Sequence, residues 1–135
     1  MPHVRLKCTA CDGLHDSSMN TIQCPDCGAP LDVFYESDCQ SGDHTWAGIP
    51  IPMPYHQAEH SATLGEGNTP VVPVNWAAKE VGLRSVEAKL EYMNPTGSFK
   101  DRGTAVMMSV AKELGVTEVV EDSSGNAGAS VSAYA

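Results

Sequence analysis

Asn94-Pro95-Thr96-Gly97-Ser98-Phe99-Lys100-Asp101-Arg102-Gly103 is the stretch on which the reading of this chain turns. Pro95 fixes its own φ and pushes Asn94 towards an extended backbone, so the segment before it must stop there. Gly97 opens backbone angles that a side chain forbids, and Ser98 is a good N-cap for a helix starting beside it. Phe99, Val106, Val110 and Leu114, with Met107 and Ala111 beside them, recur at helical spacing, and Gly115 closes the pattern. The spacing predicts a turn that delivers Lys100 into the first turn of a helix. There the dipole and free amides disfavour an ammonium, the direction a lysine needs if its amine is to attack a carbonyl. From the residues alone, a solvated lysine paired with Asp101 or Glu87 accounts for the same pattern.

Outward from that turn the chain reads as α/β. Residues 71–74 form a short edge strand limited by Pro73; Asn75 can cap a helix through Val81, and Gly82 ends it. Residues 85–90 alternate as a strand that leads into the lysine turn. Residues 117–120 read as a further strand, and a helix begins near Ala127. Strand, lysine helix, strand, loop and helix make a βαβα run. Such a run predicts a parallel sheet with Lys100 and Asn126 at the carboxyl ends of its strands, where ligands bind. Asp122-Ser123-Ser124-Gly125-Asn126 offers hydroxyls, an amide and backbone donors, an anion cradle or an ordinary helix cap. A nucleotide P-loop is excluded, because GxxxxGK[ST] is absent.

Three motifs carry a resemblance. Residues 94–103 resemble the lysine segment of pyridoxal-phosphate enzymes of the tryptophan-synthase-β type (fold type II), and NPTGSFKDRG most resembles the threonine synthase branch. Ser123-Ser124-Gly125-Asn126-Ala127-Gly128 resembles that family's asparagine loop, and Gly65-Glu66-Gly67-Asn68-Thr69-Pro70 resembles its GEGNTP stretch. The likeness covers residues 64–135. It implies a cofactor, pyridoxal 5'-phosphate, carried by Lys100 as a Schiff base, with Lys100 then moving protons. Asn126 would bond the cofactor's ring oxygen and Phe99 would also meet the cofactor. Ser123, Ser124 and Ala127 would hold the carboxylate of a small amino-acid substrate. Asn94 and Arg102 would give support, with Arg102 and Asp101 paired. The implied reaction is that of a lyase converting O-phosphohomoserine and water to threonine and phosphate. Relatives acting on phosphoserine or threonine share the lysine and asparagine motifs, so a related pyridoxal-phosphate enzyme of that kind is the alternative the resemblance implies.

Members of that family continue into a glycine-rich phosphate loop and a late residue facing the pyridine nitrogen. Neither falls within the 135 residues. The pattern also stops inside an apparent helix at Ala135, leaving apolar sheet edges. The expectation is a truncated chain, inactive alone, representing the N-terminal part of a catalytic domain that is a homo-oligomer candidate at full length.

Cys8 and Cys11 form one C-x2-C and Cys24 and Cys27 another, a spacing that predicts a zinc ribbon over residues 1–35. Gly13 and Gly28 would permit the knuckle turns. About thirty residues cannot bury a self-sufficient core, so zinc would supply much of the folding free energy. Four thiolates and one dication would shift the formal charge from -9 to about -11. A disulfide or redox pair fits less well without an oxidising compartment or a βαβ pattern around these cysteines. His44, His56 and His60 lie outside a tetrad already complete, and Cys39 is a spectator. Residues 36–63 read as a connector in which Pro50, Pro52 and Pro54 favour an extended path without a ladder.

Eight basic against seventeen acidic residues repel nucleic acid and anionic membrane. No apolar run approaches a membrane span and no apolar signal core opens the chain, so a cytoplasmic setting is expected. A different class of function also suits the cysteine module: protein contact by a zinc ribbon whose pyridoxal segment is a vestige.

Overall fold

A computed structural model describes residues 4–18, 20–35, 45–46, 49–50, 53–55 and 58–135. The chain divides into two compact units, Met1–Ala62 with Val106–Val119, and Thr63–Ala105 with Val120–Ala135.

In the first unit, β1 (Val4–Cys8) is the centre of a three-stranded antiparallel sheet in the order β2-β1-β3, with β2 at Leu14–His15 and β3 at Leu31–Tyr35. Cys8 lies opposite Leu31 at one end of the β1–β3 ladder and Val4 opposite Tyr35 at the other. The period-2 alternation of β1 buries both Val4 and Cys8. β4 (Thr45–Trp46) and β5 (Ile49–Pro50) pair antiparallel, so part of the connector does form a ladder, contrary to the sequence expectation. A two-stranded ribbon is all edge, where proline is tolerated. Cys39, His44 and His56 fall outside the described residues.

The later turns of a helix, α2 (Lys100–Glu113), also belong to this unit from Val106 onward. Ser109, 1% exposed, accepts the Ala62 amide at 2.9 Å. His60 Nδ1 lies 3.4 Å from Glu113 Oε1, and Lys112 Nζ donates to the Glu59 carbonyl at 2.9 Å. The helix closes at Gly115, φ +73: the Gly115 amide bonds the Lys112 carbonyl and the Val116 amide that of Ala111. Orphan carbonyls at the helix end are thereby satisfied.

In the second unit, β6 (Val71–Pro73) pairs antiparallel with β7 (Glu87–Lys89), with Val71 opposite Lys89. Between them runs α1 (Asn75–Val81), closed by Gly82 at φ +69 in the same way as α2. Asn75 is already helical and Val74 occupies the cap position without a side-chain bond, so the expected asparagine cap is not formed. A 3-10 turn, Glu91–Met93, leads into the lysine segment, and α3 (Asn126–Tyr134) comes after the asparagine loop.

Two further expectations change. Every described ladder is antiparallel, and residues 117–120 join none of them. A parallel strand needs a neighbour alongside it, and no described segment supplies one; Val120 is 92% exposed. The inward face of α2 is also not the apolar stripe. Phe99 and Met107 are exposed, whereas Asp101, Thr104, Ala105 and Ser109 are buried. Buried polar groups are tolerated there because Asp101 and Ser109 are hydrogen-bonded.

Candidate active site and metal centre

The lysine turn is built by local bonds. Asn94 is extended, φ -65 and ψ 159, as a residue before proline should be. Gly97 takes φ +79 and returns its amide to the Asn94 carbonyl at 2.8 Å. Ser98 Oγ accepts the Lys100 amide at 3.2 Å, which caps the start of α2. Lys100 is exposed, with Nζ 4.8 Å from the centroid of the Phe99 ring. Neither Asp101 nor Glu87 takes Lys100 in an ion pair among the described residues.

Asp101 is engaged elsewhere. Its side chain is fully buried; Oδ2 accepts the Thr96 amide at 2.7 Å, and Oδ1 accepts the Thr96 hydroxyl and, at 2.7 Å, the Ser130 hydroxyl. Burial alone would raise its pKa, but these bonds outweigh burial and hold it below the ordinary carboxylate value.

Arg102 likewise turns away from Asp101, correcting the expected pair. Its Nε and Nη2 donate to the two carboxylate oxygens of Glu91 at 2.7 and 2.9 Å, a bidentate fork. The Thr69 hydroxyl donates to the same carboxylate at 2.7 Å and Asn94 Nδ2 at 3.2 Å. Hydrogen bonding from Arg102, then from Thr69, holds Glu91 down at about 2, and Glu91 raises Arg102 in return. Glu91 was missed by sequence reasoning. It stands outside every motif, and only its fold neighbours mark it.

The GEGNTP stretch joins the same network. The Gly67 amide donates to Asn94 Oδ1 at 3.0 Å, Arg102 Nη2 to the Thr69 hydroxyl at 3.1 Å, and Lys89 Nζ to the Thr69 carbonyl at 2.8 Å. Glu66 Oε2 accepts the Tyr134 hydroxyl at 2.8 Å. Burial, with the Glu66 carboxylate beside it, pushes the Tyr134 phenol well above its ordinary value.

The asparagine loop carries Ser123 and Ala127 half-buried, Ser124 and Asn126 exposed. The Gly125 amide bonds Ser123 Oγ at 3.1 Å. No side chain caps α3 at Gly125, which leaves the amides of its first turn for other acceptors. Gly128 is required by a close approach: a Cβ there would lie 2.6 Å from the Ser123 carbonyl oxygen. Ser130, one turn beyond Asn126, reaches Asp101, the neighbour of Lys100. The start of α2 and the middle of α3 are thus joined by a buried hydrogen bond. An exposed primary amine, an exposed carboxamide and a row of uncapped amides are a donor set that fits an anionic aromatic aldehyde such as pyridoxal phosphate.

In the first unit the four paired cysteines come together, their sulfurs all within 4.8 Å of one another. Cys8 Sγ is 3.5 Å from Cys27 Sγ, and Cys11 Sγ is 3.7 Å from Cys24 Sγ. A tetrahedron with metal–sulfur bonds of ~2.3 Å has edges of roughly 3.8 Å, so the set fits a dication. The amides of Cys11 and Ala10 lie 3.4 Å from Cys8 Sγ and pull its pKa down to about 6. Although the backbone at Gly13 favours a Cys11 thiolate, the other sulfurs push Cys11 up to about 12. Four sulfurs this close ionise together only around a cation. The left-handed residues of the knuckles are Asp12, φ +58, and Gly28, φ +75. Gly13 matters instead for room, since its Cβ would stand 3.1 Å from His15 Nε2. His15, absent from the sequence reading, places Nε2 3.5 Å from Cys24 Sγ and 3.9 Å from Asp26 Oδ2.

Lys100 stands at the mouth of α2, whose next residue, Asp101, is tied by a buried bond to Ser130 on the helix that begins with Asn126. Residues 62–135 match the family described as pyridoxal-phosphate dependent enzyme, and the chain belongs to it. Among curated proteins, the threonine synthase of Methanosarcina acetivorans is 33% identical over 135 residues, 96% of this chain and 33% of its own length. That of Methanocaldococcus jannaschii is 34% identical over 139 residues, 95% of this chain and 34% of its own length. That of Synechocystis sp. is 44% identical over 101 residues, 71% of this chain and 26% of its own length. The chain spans about a third of the length of the first two. No solved structure matches it. Among the described residues no helix is long and apolar enough to cross a membrane.

Proposed function

We propose that this chain carries the cofactor lysine of a pyridoxal-phosphate-dependent lyase resembling threonine synthase, acting on O-phosphohomoserine and water to give threonine and phosphate. Bound there, the cofactor would supply an electron sink for carbanion chemistry. Lys100 would hold it and then take and return a proton at Nζ. Asn126 would orient its ring, with Phe99 beside it, and Ser123, Ser124 and the Ala127 amide would hold the substrate carboxylate. The parallel sheet of the tryptophan-synthase-β type, over residues 64–135, belongs to this proposal, as do a cytoplasmic setting and a homo-oligomer. The cysteine module, residues 1–35, is proposed to fold around one structural zinc ion bound by Cys8, Cys11, Cys24 and Cys27.

The observation that supports this reading is that two separated motifs bond each other, Gly67 to Asn94 and Arg102 to Thr69, while the helix that carries the end of the third bonds both, Ser130 to Asp101 and Tyr134 to Glu66. Chance matches to short motifs give no reason for their residues to bond one another. The test is titration of the purified chain with pyridoxal phosphate, then borohydride reduction and peptide mapping. Label on Lys100, lost in Lys100→Ala, is expected. Label spread over Lys7, Lys79, Lys89 and Lys112 would overturn the assignment.

A further inference from the structure

We propose that Asp101 is a positioning residue, whose carboxylate sets where the Lys100 amine stands relative to the asparagine loop. This rests on the proposed cofactor site and goes beyond it, because Asp101 has no direct role in holding the cofactor.

An ionised carboxylate out of water is expensive unless it is fully bonded. Asp101 has zero exposure and no cation within ion-pair range among the described residues, so a carboxylate retained there has work that an apolar residue could not do. Its partners say what the work is. Oδ2 takes the backbone amide of Thr96 and Oδ1 the Thr96 hydroxyl, which closes the turn immediately before Lys100. Oδ1 also takes the Ser130 hydroxyl at 2.7 Å, on α3, one turn from Asn126. One carboxylate therefore holds both the loop that aims the lysine and the helix that carries Asn126. Being next to Lys100 in sequence and on the inward face of α2, it fixes the rotation of that helix and with it the side on which Lys100 emerges.

The chemistry of the partners supplies a clean discriminating variant. Asn at this position keeps one acceptor, which the Thr96 amide can use, and turns the other arm into a donor. The hydroxyls of Thr96 and Ser130 can both rotate to accept from it. Asp101→Asn thus keeps the bracing pattern without the charge, whereas Asp101→Ala removes both.

The experiment measures what fraction of borohydride-fixed pyridoxal phosphate falls on Lys100, relative to Lys7, Lys79, Lys89 and Lys112 in the same molecule. It is run on the full chain as wild type, Asp101→Asn, Asp101→Ala and Ser130→Ala, with amide exchange of α2 in parallel. A purely stabilising residue would alter exchange across the helix and label all lysines more evenly only as the protein unfolds. A positioning residue lowers the Lys100 share in molecules whose α2 stays protected. We expect the Lys100 share relative to the other lysines to fall at least tenfold in Asp101→Ala, about threefold in Ser130→Ala, and less than twofold in Asp101→Asn. Should Asp101→Ala not fold, the other two variants decide. A Lys100 share unchanged in Ser130→Ala and in every folded Asp101 variant, against a selective wild type, overturns the inference. A wild type with no preference for Lys100 overturns the cofactor reading, and the inference with it.

Discussion

The cysteine module and the lysine region are held together in opposite ways. In the module, four side chains of one kind converge on a point, and their sequence spacing announces the arrangement. In the lysine region, no single group dominates: Glu91, Arg102, Thr69, Asn94, Asp101, Ser130, Glu66 and Tyr134 share a distributed set of hydrogen bonds. If the proposed zinc ion sits at that point, the first kind of order is abolished by removing it. The second can be worn down only bond by bond, which suits a place where side chains must be held in fixed relation.

The largest effect should come from attacking the point. Zinc stoichiometry is expected to be one per chain, and stripping it with a chelator, or Cys8→Ser, should collapse the β1–β3 ladder. Structural zinc in small modules contributes on the order of 10 kcal/mol. Amide exchange over residues 4–35 reads the loss, and a metal-free preparation with those amides still protected would show that the sulfurs hold nothing. Next, Gly128→Ala should cost about 2 kcal/mol, because overpacking forces the α3 backbone away from Ser123. Denaturant unfolding measures it, and an unchanged midpoint would mean that the loop yields freely. The smallest effect is expected from acid. Glu91 is held at about 2 in the folded chain, below its ordinary value. A depressed carboxylate contributes stability above its unfolded pKa and loses it as pH falls through the folded one. The network's share should therefore be complete above about pH 4.5 and vanish towards pH 2. The pH dependence of the midpoint in that window should flatten in Glu91→Gln; equal slopes in both proteins would show that Glu91 carries none of it.

The same contrast explains what the sequence made legible. Local signals were read where the physics is local: the C-x2-C pairs, the Gly82 and Gly115 helix ends, Pro73 in a short strand, the lysine turn itself. What escaped depends on partners distant in the chain. Nothing near Glu91 announces that Arg102 and Thr69 will grip it, and the pair expected for Arg102, Asp101, was the wrong one. The apolar spacing of α2 indicated a helix correctly but misjudged its buried side, because Asp101 and Ser109 are satisfied by residues 29 and 47 positions away. The strand over residues 117–120 was inferred from composition, whereas a ladder requires a neighbour. Asp12 replaced Gly13 as the left-handed residue, a substitution aspartate can make.

The Tyr134–Glu66 hydrogen bond spans 68 residues, and that distance along the chain is a statement about time. Helices α1 and α2 close on themselves through bonds three and five residues long, contacts that form quickly and need little chain to be ordered. The bonds that join the lysine segment, the GEGNTP stretch and α3 reach across 27 to 68 residues and must first overcome the entropy of closing those loops. The long-range bonds around the lysine segment are accordingly expected to form after those helix ends close.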